Sequence, residues 1–81
     1  MEVNDKLIEE ERMLTERIEA NPDDADARYR RGRVRWRMGD RAGAISDYEH
    51  AAAADPSSPA AAALQMTRQI MDFYNPDLLN P

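Results

Sequence analysis

The chain contains no cysteine. A disulfide framework, a thiolate zinc site and thiol redox chemistry are therefore excluded, which suits a reducing compartment. It has a single histidine, His50. With no second imidazole, no thiol and no suitably flanked serine, neither a metal site nor a nucleophile–base pair is expected. The run Glu9-Glu10-Glu11 reads as solvated charge rather than as an acid/base pair. Long apolar runs are also missing: Ala51 to Ala54 and Ala60 to Leu64 are far short of the ~20 residues that a membrane span requires. The segment from Met1 to Lys6 lacks the apolar stretch of a signal peptide. The expectation is a soluble, cytoplasmic protein that is not an enzyme and has no cofactor, metal or membrane association.

Glycine is scarce, at three residues, and β-branched residues are few, whereas alanine, glutamate, arginine and methionine are common. That composition favours helix wherever proline does not interrupt. At 81 residues the chain is one small domain, near the size where a single core leaves only a few kcal/mol of net stability. Thirteen residues are alanine. They add little burial each but let helices approach closely.

Breaks at Asn21-Pro22, Gly39-Asp40, Asp55-Pro56-Ser57-Ser58-Pro59 and Asn75-Pro76 leave room for four helices. The first, from about Asn4 to Ala20, carries Val3, Leu7, Leu14 and Ile18 on one stripe, with Glu10 inside that stripe and Arg17 beside it. A carboxylate so placed is costly unless a positive group meets it. The second, from about Asp24 to Met38, begins with acids that suit its dipole and stops at Gly39, a natural residue for a helix C-terminus. Asp40 can cap the third, from about Arg41 to Ala54, whose inner face is Ala44, Ile45, Tyr48, Ala51 and Ala52. Ser58 and Pro59 suit the start of the fourth, which carries Ala60, Ala63, Leu64, Thr67, Met71 and Tyr74 on one side. Phe73-Tyr74 reads as a cap over the last helix interface, and residues 76–81 as a tail.

Charge is strongly segregated. Residues 1–27 hold three Lys/Arg against ten Asp/Glu, net −7; residues 28–41 hold seven Arg against one Asp, net +6; residues 42–81 hold one Arg against five acids, net −4. The stretch RYRRGRVRWRMGD from Arg28 to Asp40 is the positive band. On a helix its arginines do not form one patch. Ala25, Tyr29, Gly32 and Trp36 make one stripe and Ala27, Val34 and Met38 another, about opposite. Arg28, Arg31 and Arg35 lie between these on one side, and Arg30, Arg33 and Arg37 on the other.

The interval from Ala25 to Ser58 is 34 residues long, the period of the tetratricopeptide repeat, a helix-turn-helix unit. Gly32, the inter-helix pair Gly39-Asp40, Ala44, Tyr48, Ala51 and the closing Asp55-Pro56 stand where that repeat places glycine, Gly-Asp, small, aromatic, small and Asp-Pro residues. The chain resembles this family over most of its length. Asn21-Pro22 is similar to the end of a preceding unit, and the helix after Ser58-Pro59 to the extra helix that covers a last repeat. The ending IMDFYNPDLLNP, after a single repeat, resembles small bacterial proteins with one repeat and flanking helices. The resemblance implies an all-α antiparallel superhelix fragment of four helices: an N-terminal flanking helix (1–22), a complete repeat (25–58), a C-terminal capping helix (59–75) and the tail. The family pattern puts apolar side chains where Arg28, Arg31, Arg35 and Arg41 stand.

Two readings of the arginines follow. Arg28, Arg31 and Arg35 are expected to lay their stems on the neighbouring helix and form structural ion pairs with Glu10, Glu11 or other acids of the first helix. The same charges could instead pair between two copies, giving a homodimer. For the other stripe, the resemblance implies a helix that lines a peptide-binding groove, and it places Tyr29, Arg30, Arg33, Trp36 and Arg37 on or near that surface. Arginine forks suit carboxylates and the aromatic rings supply rigid contact area. The expected function is non-catalytic protein–protein interaction with an acidic peptide or a second copy; a solvated face is the plain alternative. A nucleic-acid-binding role, with bases stacked on Tyr29 and Trp36, is the alternative from another class. The sequence pI near 4.7 and the division of the arginines between two faces weigh against it.

Overall fold

A computed structural model describes the backbone of residues 2–73 and the side-chain surroundings of residues 5–72. The expectations for Val3, Phe73-Tyr74 and residues 76–81 fall outside these described side chains. The described chain is all-α: α1 (Glu2–Ala20), α2 (Ala25–Met38), α3 (Arg41–Ala54) and α4 (Ala60–Phe73).

Each boundary has a local cause. Asn21 N–H donates to the Arg17 carbonyl at 2.9 Å as α1 closes. The Asp24 Oδ1 accepts the Ala27 N–H at 3.0 Å and caps α2. At its other end Gly39 sits at φ +89°, the left-handed region that costs glycine least. There the Gly39 and Asp40 N–H groups donate back to Trp36 and Arg35 at 3.1 and 2.9 Å, so the turn satisfies carbonyls that the helix end leaves open. Asp40 then caps α3 by accepting the Gly43 N–H at 2.9 Å. Between α3 and α4, the Asp55 Oδ1 accepts the Ser57 N–H and hydroxyl at 3.0 and 2.7 Å, and the Ser58 hydroxyl oxygen accepts the Ala60 N–H at 3.1 Å.

Consecutive helices pack antiparallel. Gly32 meets Tyr48 while Arg31 and Arg35 meet Asp47 across the α2–α3 seam. Thr15 meets Arg31 and Glu11 meets Arg35 across α1–α2. One cluster is built on Ala44, Tyr48, Ala51 and Ala60, with Ala25, Tyr29, Trp36, Ala52, Ala63 and Leu64 packed around it. It joins α2, α3 and α4. On the other side α1 turns Leu7 and Ile18 inward, and Ala27 and Val34 of α2 are buried with them. Burying such Leu, Ile and Val side chains contributes about 1.5–3 kcal/mol each. Met38, expected on the stripe with Ala27 and Val34, is 37% exposed at the end of α2, where the chain turns away to Gly39.

Acid sensitivity follows from the α1–α2 corner. The Asp24 carboxyl is held below its usual range, first by the Ala27 N–H it accepts and then by the Arg17 guanidinium. Its contribution is present above the ordinary aspartate value of about 3.9 and is lost as pH falls through the lower folded value. Asp24→Ala should therefore cost about 1 kcal/mol at neutral pH, and the difference from wild type should shrink as pH falls below the ordinary aspartate value of about 3.9. Urea titrations at the two pH values check this.

Candidate functional site: two arginine stripes

The first stripe is a buried ionic node. The Arg31 guanidinium grips Asp47 with both prongs, Nε to Oδ2 at 2.8 Å and Nη2 to Oδ1 at 2.7 Å. Its Nη1 donates to the Thr15 hydroxyl oxygen at 3.1 Å. Arg35 adds a second donor to Asp47, Nη1 to Oδ2 at 3.3 Å, and gives its Nε to Glu11 at 2.8 Å. Two arginines of α2 thus tie α3 to α1. The side chains of Asp47 and Arg31 are 2% and 11% exposed, so this pair lies far from the screened regime of surface salt bridges. The Asp47 hydrogen bonds push the Arg31 pKa up, against the opposing effect of burial. Among the described residues no buried side-chain nitrogen or oxygen lacks a partner. Burial of these charges is tolerable for that reason.

Sequence reasoning placed this stripe at a helix seam, and Arg35 meets Glu11 there. It assigned the partners too narrowly. The main acceptor is Asp47, on α3 rather than on the first helix. The sequence did carry a signal: Asp47 falls within about 60° of Ala44 and Ala51 on the inner face of α3, an isolated carboxylate on an alanine surface opposite the arginines. Two expected members of the ion-pair set do not join it. Arg28 gives its Nε to the Pro22 carbonyl at 3.0 Å, because it stands level with the α1–α2 turn rather than with the acids of α1. Glu10 is exposed; the α1 residues facing the arginine seam are Glu11 and Thr15, so Glu10 points to the opposite edge of α1.

At that edge lies the second stripe. Arg30, Arg33 and Arg37 of α2 face Glu10, Met13 and Leu14 of α1 across a groove of about 290 Å³ floored by Val34. Arg30 pairs with Asp26, Nε to Oδ2 at 2.9 Å, one turn back on its own helix. Among the described residues Arg33 and Arg37 take part in no salt bridge. The Arg33 guanidinium lies 6.0 Å from the Tyr29 ring centre, at the outer limit of a cation–π contact. The groove therefore has an apolar floor, a cationic wall from α2 and a single carboxylate on its α1 wall.

The aromatic residues are not in that groove. Tyr29 and Trp36 are half-buried against the α2–α3–α4 cluster. Tyr29 packs on Tyr48 with ring centres 5.9 Å apart and planes tilted by 38°. The Arg41 guanidinium covers Trp36 at 4.6 Å from its ring centre. The five residues expected to form one peptide-binding surface are split accordingly: three arginines line the groove, and two aromatic side chains serve the helix interface. Arg41 thus stacks on an aromatic ring and lies outside the groove.

His50 is exposed on α3, with its Nδ1 2.8 Å from the Ser46 carbonyl. Among the described residues no three His, Cys, Asp or Glu side chains are grouped to hold a metal ion. No described helix is long and apolar enough to cross a membrane. Comparison with family models, with curated proteins and with solved structures found no match to this chain.

Proposed function

We propose that the chain is a single tetratricopeptide-type unit with flanking helices, and that it acts as a non-catalytic protein-binding module for acidic polypeptides. The observation that carries the binding half is the groove. Arg33 and Arg37, without salt bridges among the described residues, stand beside an apolar floor of Leu14 and Val34 and within reach of Met13. Arginine forks recognise carboxylates with two parallel bonds, and an adjacent apolar strip adds contact area and lowers the local dielectric. The repeat half is supported by the α2–α3 hairpin itself, with Gly32 set against Tyr48 and the Gly39-Asp40 turn between the helices. A nucleic-acid role has less support, since the rings that would stack on bases are committed to the helix interface.

A fluorescence titration with a short peptide of alternating glutamate and leucine tests the reading. At protein concentrations too dilute for self-association, wild type should bind at low salt and weaken as salt rises. Changing Arg33 and Arg37 together to glutamine should weaken binding by about tenfold or more, the loss of roughly one charge-assisted hydrogen bond. Glu10→Gln should tighten it, because Glu10 is the one acid on the groove wall and repels an incoming carboxylate. Affinity unmoved by the arginine pair, or tight binding of single-stranded oligonucleotide in place of the peptide, would overturn the reading.

A further inference from the structure

We propose that the groove's occupant is the outer face of α1 from a second copy of this chain, so that the protein is a homodimer held by Glu9 and Glu16 on Arg30 and Arg37. The inference rests on the reading of the groove as acid-binding and names the acid.

The two helix faces match in spacing. Glu9 and Glu16 are seven residues apart, which on a helix is about 10.5 Å along the axis and within about 20° around it. The separation of Arg30 and Arg37 is identical. A helix laid along α2 in either direction brings two carboxylates into step with two guanidiniums, of which Arg37 has no salt bridge among the described residues and Arg30 shares its charge with Asp26. Between the acids stands Met13, 57% exposed, the apolar side chain available to cover the groove floor.

The acid face is also turned to solvent. Glu9 and Glu16 leave α1 about 170° around the helix from the buried Leu7 and Ile18. Their side chains are 55% and 62% exposed, and their salt bridges among the described residues are to Arg12, which lies between them on the same helix. Arg12 neutralises one of the two charges and leaves one. Within a single copy α1 cannot turn this face to α2 without exposing its apolar stripe. Across two copies it can, and because each chain carries both an acid face and a groove, one twofold axis makes the contact twice. The segregation of charge, net −7 over residues 1–27 against net +6 over residues 28–41, gives the long-range complementarity that such an association needs.

Sedimentation equilibrium on the full chain tests this with two charge-reversed variants, E9R/E16R and R30E/R37E. Wild type should be a dimer at low salt and dissociate at high salt. Each variant alone should be a monomer, since every contact then opposes like charges. An equimolar mixture should double in mass, because each reversed face meets its reversed partner. Helical circular dichroism of each variant confirms that a monomeric result comes from a folded chain, and recovery in the mixture does so independently. Wild type that stays monomeric to sub-millimolar concentration, variants that dimerise like wild type, or a mixture that stays monomeric would overturn the proposal. A monomeric wild type that still binds the glutamate–leucine peptide would remove the second copy as occupant and leave the acid-binding groove standing. A dimer indifferent to charge reversal in a protein that ignores the peptide would remove both.

Discussion

Asp47→Ala should cost about 3–5 kcal/mol, enough to unfold most of a domain this small at ambient temperature. The Asp47 side chain is 2% exposed, and its two oxygens accept three hydrogen bonds from Arg31 and Arg35. Removing the carboxylate leaves Arg31, 11% exposed, as a buried charge whose remaining side-chain hydrogen bond is to the neutral Thr15. The cost is therefore dominated by the stranded guanidinium rather than by the bond energies lost. That distinction can be measured. Replacing both partners, Arg31→Met with Asp47→Leu, should recover most of the loss, because an apolar pair of similar volume has no desolvation penalty to offset. Urea denaturation of the single and double variants checks both statements. A double variant as unstable as Asp47→Ala would mean that the charges themselves, not their mutual compensation, hold the three helices together.

Tyr48→Ala is the second large loss, about 3–5 kcal/mol by the usual cost of truncating a buried aromatic ring. Tyr48 is 4% exposed; its ring lies over Gly32 and against Tyr29. The glycine is required by this ring. A Cβ at position 32 would stand 2.6 Å from Tyr48 Cε1 and 2.8 Å from Cδ1, closer than carbon atoms pack. Gly32→Ala alone should destabilise by about 1–2 kcal/mol, overpacking outweighing the roughly 1 kcal/mol that alanine gains in a helix. In the Tyr48→Ala background the same change should be neutral or stabilising, since the obstruction is gone. The two substitutions are expected to be strongly non-additive in a double-mutant cycle, and thermal denaturation of the four proteins provides it. Additive effects would show that the close approach of α2 and α3 is not what selects glycine at 32.

Helix positions were legible because the chain punctuates itself. Asn21-Pro22, Gly39-Asp40 and the Asp55 to Pro59 run each stop one helix, Asp24, Asp40 and Ser58 cap the next, and the observed helices end at those places. Burial on α3 was equally legible: Ala44, Tyr48 and Ala51 are the buried apolar residues of that helix. Helical periodicity also separated the arginines correctly into two stripes. It did not give the partners. Angular position on one helix says which way a side chain leaves the axis but not which of two neighbouring helices it meets. The acids of α1 are the expected partners of Arg31, whereas its acceptor is Asp47 of α3. Tyr29 and Trp36 illustrate the same limit. They lie within about 60° of Arg33 around α2, yet that angle separates the groove from the α3–α4 interface. Side-chain length decided the rest: Arg28 reaches the Pro22 carbonyl instead of a carboxylate, and Arg41 folds back over Trp36.

The central claim is that one arginine stripe holds the helices together and the other is open to an acidic visitor. The most direct test is a single two-dimensional NMR titration of the labelled E9R/E16R variant, whose groove is intact and whose own α1 face no longer competes for it, with the glutamate–leucine peptide, read at the arginine Nε–H groups and the backbone amides. Shifts should concentrate at Arg33 and Arg37, with the amides of Glu10, Met13 and Leu14 following, while the Nε–H signals of Arg31 and Arg35 stay in place because Asp47 and Glu11 already hold them. Shifts centred on Arg31, Arg35 or the Trp36 indole, or no shifts at all, would contradict it.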